Sequence, residues 1–183
     1  MKTYKKSNSH RGFATCFVAV QLLFMPPLIA SDILDRLQGY EWKLPAEPLR
    51  EEGAQAELIR IASDRTQPNF IRARAVAALT VYPSDEVWTF YSARITAASE
   101  NNPANKVSRR RTVDALCSTF LPDRAEAIQV LLTPLLNEDD AHLRVRVAQC
   151  LENIDSHGAK SALGSYRSGI GESWELKAGR VAQ

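Results

Sequence analysis

The sequence predicts an all-α fold: a short right-handed α-solenoid of about three helical hairpins, with a capping segment at each end. Three observations carry this. Within residues 143–163, LRVRVAQCLENIDSHGAKSAL, the apolar or small residues Leu143, Val147, Cys150, Leu151 and Ile154 recur at helical spacing. Asp155, Ser156 and Gly158 then break the helix, and Ala159, Ala162 and Leu163 open a second one. The same offsets return at Ile71, Ala75, Ala78, Leu79 and Tyr82, and a weaker copy begins at Ser108. The equivalent leucines Leu79, Leu116 and Leu151 stand 37 and 35 residues apart. A lone hairpin of this length has two apolar faces and one partner, so it is stable only when copies stack on it.

Taken in order, residues 1–11 are polar and basic, residues 13–25 (FATCFVAVQLLFM) are apolar apart from Thr15 and Gln21, and Pro26-Pro27 breaks the run. Basic, apolar, breaker, small residue is the order of a secretory signal peptide, which predicts cleavage after Ala30 and a first segment of 1–30. Leu28 is larger than the small residue usual at the third position before the cut. An uncleaved inner-membrane anchor is therefore the alternative, against which stand the shortness of the run and its prolines. The mature chain is expected in the periplasm or outside the cell, without a membrane span.

Residues 31–53 read as an N-terminal cap. SDILDRLQG is a short amphipathic helix with Ile33, Leu34 and Leu37 on one side and Gly39 as a stop. Pro45 and Pro48 make the following stretch extended, with Tyr40, Trp42 and Leu44 placed to cover the open end of the stack. Residues 54–183 are the repeat domain. AQAELIRIASD, from Ala54, is a helix carrying Leu58, Ile59, Ile61 and Ala62, and FIRARAVAALTVY is the next one, after Pro68. Ser84 is an N-cap, and Asp85 and Glu86 sit where the helix dipole favours acids.

In the middle copy, SRRRTVDALCST, Ser108 and Thr112 stand at stripe positions, and Val107, Val113 and Phe120 are expected to compensate. Its second helix starts at Asp123, with Glu126 at capping-box spacing, and buries Ile128, Leu131, Leu132, Leu135 and Leu136 until Pro134 bends or ends it. A final helix over 174–181 follows a Gly-rich turn and serves as the C-terminal cap.

Charge narrows the partners. The chain carries 23 basic and 21 acidic residues for a formal +2, but Lys2, Lys5, Lys6 and Arg11 precede residue 31 with no acid beside them. The remainder has 19 basic residues against 21 acids, a charge of −2, which removes any general pull toward phosphate backbones and makes nucleic acid an unexpected partner. Of the three cysteines, only Cys117 and Cys150 lie beyond the signal, each one residue from its repeat leucine. Stacked helices lie ~8–10 Å apart and a bridge needs Cα atoms within about 7 Å, so the two are expected to stay reduced as small buried residues.

The 35-residue period built on LRVRVAQCLENI and IRARAVAALTVY resembles a HEAT repeat, and more specifically the short bacterial HEAT-like repeats of the phycobilin-lyase type. The resemblance covers most of the chain from Ala54 and is weaker in the Ser108 copy, which has about two extra residues before Asp123. It implies that an arginine of each first helix meets an acid of an adjacent turn, building a ladder between repeats. The Arg-x-Arg pairs Arg72/Arg74, Arg109/Arg111 and Arg144/Arg146 are the residues for it, with Leu79, Leu116 and Leu151 as the structural leucines, and Asp64 and Asp140 as candidate acids.

Catalytic constellations are missing. His142 and His157 stand singly, no pair of histidines or cysteines has metal-ligand spacing, and Asp155-Ser156-His157 is adjacent in a turn rather than arranged through space. Neither a cofactor nor a metal is expected. The expected function is a non-catalytic protein-interaction scaffold whose partner is another protein or peptide. The alternative, implied by the resemblance, is an enzyme or cofactor-handling subunit of the bilin-lyase kind. Candidate partner-binding residues are Trp88, Phe90 and Tyr91 on the second helix of the first repeat, and Arg109 and Arg110 of the one basic cluster.

Overall fold

In the computed structural model, which describes residues 29–39, 47–97 and 103–170, every regular element is helical, as the sequence predicts. The expected signal as far as residue 28, the expected covering stretch with Tyr40, Trp42 and Leu44, and the expected C-terminal cap over 174–181 lie outside the described residues. The helices are α1 (Ile29–Gln38), α2 (Ala54–Ser63), α3 (Asn69–Ala78), α4 (Asp85–Thr96), α5 (Pro103–Leu132), α6 (Ala141–Glu152) and α7 (His157–Gly169). Helix α1 buries Ile33 and Leu37, the side its spacing marks as apolar. Short 3-10 turns at Glu47–Arg50, Leu79–Val81 and Thr133–Asn137 join the set. The first of these buries Leu49 where an extended segment was expected.

The stripes explain the core. Ile71, Ala75, Leu79, Leu116, Leu143, Val147 and Leu151 are all buried in one cluster. In the middle copy, Thr112 is buried at its stripe position, because its hydroxyl is satisfied by the Ser108 carbonyl one turn back at 2.9 Å. Val113 and Phe120 are buried as expected, but Val107 stays 46% exposed and contributes little. The span α5 holds two helices that meet at a kink, as predicted: the break comes at Arg124, whose φ of −134° and ψ of 30° are not helical, one residue after the predicted start and two after Pro122.

Caps set the other ends. Ser84 accepts from the Val87 amide at 3.2 Å, Asp140 from Leu143 at 3.2 Å and Ser156 from Ala159 at 3.0 Å. Two of these caps are shared between helices. The Ser84 hydroxyl donates to Gln55 Oε1 of α2 at 3.0 Å, and the Ser156 hydroxyl donates to Gln129 Oε1 of α5 at 2.5 Å. These two N-cap serines therefore tie α4 to α2 and α7 to α5. Along the other side, α3 packs against α5 and α5 against α6.

Cys117 and Cys150 form a disulfide with Cα atoms 6.0 Å apart, which corrects the expectation of two free thiols. The ~8–10 Å spacing holds between helix axes, whereas Cα atoms ride on a cylinder of about 2.3 Å radius. Two Cα atoms that face each other across α5 and α6 are therefore within bridging reach.

Candidate functional site

The five candidate binding residues do not form one site. On α4, Tyr91 is fully buried and its hydroxyl donates to the Val76 carbonyl of α3 at 2.7 Å. Burial pushes that phenol far above its ordinary range. Trp88 is half-buried on another side of α4, edge-on to Phe120 with ring centroids 5.4 Å apart. Arg124 lies over both rings, 5.0 Å from Trp88 and 5.3 Å from Phe120, and is ion-paired to Asp85. The kink in α5 is what delivers this guanidinium. Phe90 is also half-buried, with Arg94 stacked 5.7 Å from its ring.

Arg109 and Arg110 are engaged within the chain. Arg109 is 7% exposed, donates through Nε to the Ile95 carbonyl at 2.6 Å and pairs with Glu138 at 2.9 Å. Arg110 grips Asp140 with two bonds of 2.8 and 2.6 Å. Desolvation works to raise the Asp140 carboxyl, but the Arg110 fork and the Leu143 and His142 amides outweigh it and hold the group below the usual carboxylate range.

The arginines of the pairs do meet neighbouring turns, but main-chain carbonyls receive the first of each pair. Arg72 Nε donates to the Ala62 carbonyl at 3.3 Å, Arg109 to Ile95, and Arg144 to the Glu138 carbonyl. Each acceptor lies at or just beyond the end of the preceding helix, where unsatisfied carbonyls and the helix dipole favour a cation. Asp64 is not the acid of the first copy, since its oxygens already accept from Thr66 and Gln67. Asp140 is taken by Arg110, and Arg146 instead reaches Asp114 on α5 at 3.5 Å. Arg74 bonds the Gly39 carbonyl after α1, and Arg111 is exposed.

Arg94 and Arg124 were not singled out by sequence, and Ser108 was marked only as a stripe position. The signal for Arg94 is its place four residues after Phe90, a helical pairing distance. Arg94 donates to the Ala62 carbonyl at 3.2 Å and to the Ser108 hydroxyl at 3.2 and 2.7 Å. Burial first, and then the charge of Arg72, lower its pKa.

Elsewhere an open depression of about 540 Å³ lies between the end of α5 and α7, lined by Thr133, Leu136, Arg144, Tyr166 and Ile170 among others. None of the five candidate residues lines it. Among the described residues no three His, Cys, Asp or Glu side chains come together as metal ligands, and no helix is long and apolar enough to cross a membrane. No family model matches the chain, and no curated protein or solved structure is significantly similar to it.

Proposed function

We propose that this chain is a non-catalytic protein-interaction scaffold: a right-handed stack of about three HEAT-like hairpins, exported to the bacterial periplasm by residues 1–30. The observation that carries the reading is the repeated arginine bond. Arg72, Arg109 and Arg144 each close the end of the preceding helix, so every hairpin is completed by its neighbour. Stacks of that kind present long ordered faces rather than enclosed chambers, and Trp88 and Phe90 are half-buried anchors on such a face. The disulfide supports the exported location, because such bonds persist in oxidising compartments.

Two measurements test the reading together. Mass spectrometry of protein expressed in a Gram-negative host should show a chain beginning at Ser31. The exported protein should bind a periplasmic partner that Trp88→Ala or Phe90→Ala weakens by about 2 kcal/mol. An intact Met1 terminus in the membrane fraction would favour the anchor instead. Partner binding indifferent to both substitutions would remove the aromatic face.

A further inference from the structure

The disulfide joins two residues with different access to solvent. Cys150 is 5% exposed and belongs to the core cluster, whereas Cys117 packs against that cluster and keeps part of its surface in solvent. One turn earlier on each helix the same seam between α5 and α6 is crossed by Asp114 and Arg146, 3.5 Å apart, with side chains 45% and 51% exposed. Residues three or four apart share a helix face, so the bond lies one turn along the seam from a charged pair that solvent reaches.

Place in the helix separates the two sulfurs further. Cys150 stands in the last turn of α6, where the carbonyl end of the helix disfavours an anion, and burial in the apolar cluster disfavours its thiolate as well. Cys117 stands inside α5, two turns before the kink at Arg124 and far from the start at Pro103. In thiol–disulfide exchange the thiolate is the attacking species, and access decides which sulfur is reached. Both criteria select Cys117.

We propose that Cys117 is the sulfur through which the folded chain exchanges with an external disulfide, and that Cys150 serves only to close the bond. The Cys117 thiolate attacks one sulfur of the external disulfide, forming a mixed disulfide and releasing the other sulfur as a thiolate. The Cys150 thiolate then attacks Cys117 Sγ, forms the Cys117–Cys150 bond and releases the second external sulfur as a thiolate. Two electrons pass from the two sulfurs of the chain to the external disulfide, and the two protons lost by the cysteines are taken up by the thiolates released. Cα atoms 6.0 Å apart make the second attack intramolecular, so it follows the first without a second encounter.

The test is exchange with oxidised glutathione in the exported protein, comparing Cys150→Ser, which leaves Cys117, with Cys117→Ser, which leaves Cys150. Each is reduced and freed of reductant beforehand, and peptide mapping assigns the adduct. In the folded variants Cys117 should be glutathionylated at least about tenfold faster than Cys150, and in urea, where the difference in burial is gone, the two should agree within about twofold. Reduced wild type gives the same answer without a substitution: brief labelling with N-ethylmaleimide should mark Cys117 ahead of Cys150. Equal native rates, or Cys150 ahead in either measurement, overturns the proposal. So does a difference that persists in urea, because the fold is then not its cause. In periplasm, the adduct trapped on Cys150→Ser identifies the source of the external disulfide. A second protein on a non-reducing gel marks a protein oxidant, and a glutathione-sized mass increase marks a small one; either supports the proposal. More adduct on Cys117→Ser than on Cys150→Ser overturns it.

Discussion

Reducing the Cys117–Cys150 bond should lower stability without changing the packing it joins. The bond closes a loop across a separation of 33 residues. Loop-closure entropy for a ring of that size gives about 3.7 kcal/mol of stabilisation, through the unfolded chain rather than through native contacts. The α5–α6 face keeps its other ties after reduction, namely Arg109–Glu138, Arg110–Asp140 and the buried Leu116, Leu143 and Val147. The reduced protein should therefore remain folded, because domains of this size commonly have about 5–15 kcal/mol to lose. With a urea dependence of about 2 kcal/mol per M, the midpoint should fall by roughly 1.8 M. Tryptophan fluorescence in urea, with and without dithiothreitol, measures this, and Cys117→Ser should reproduce the reduced curve. Two free thiols in denatured, unreduced protein, or coincident curves, would refute the reasoning.

Asp140→Asn keeps an N-cap side chain but removes the charge that Arg110 grips, and should cost about 1–3 kcal/mol in urea unfolding. The folded carboxyl lies below its unfolded value near ~3.9, so its contribution is present above that pH and is lost as pH falls through the folded value; the variant should show a shallower loss of stability below about pH 4. Tyr91→Phe should cost about 1 kcal/mol by calorimetry, because it deletes one buried hydroxyl bond to Val76. Trp88→Ala should cost less folding stability than the roughly 3–5 kcal/mol of a fully buried tryptophan, since Trp88 is only half-buried; a loss in that upper range would make it a core residue and not an anchor.

The helices and their buried faces were legible because apolar spacing reports burial directly. Leu79, Leu116, Leu143, Val147 and Leu151 all sit in the core at the offsets that marked them. Partner choice was not legible in the same way. Where Arg72 or Arg110 sends its fork depends on where the neighbouring helix ends, and spacing within one helix carries no record of that. The disulfide was missed for a related reason: sequence suggests how far apart helix axes lie, but not which Cα atoms face each other. The Gln55–Ser84 and Gln129–Ser156 bonds did leave a trace, a glutamine 29 or 27 residues ahead of an N-cap serine. The kink within α5 also left a trace, since Pro122 argues for a break there and the backbone leaves helical geometry at Arg124.

The most direct measurement of the scaffold account is photo-crosslinking in the periplasm from p-benzoylphenylalanine placed at Phe90. A matched probe goes at Val130, which is 70% exposed on α5. The account predicts one discrete protein adduct from position 90 and no such adduct from position 130. Adducts absent from position 90, or the same adducts from both positions, would contradict it.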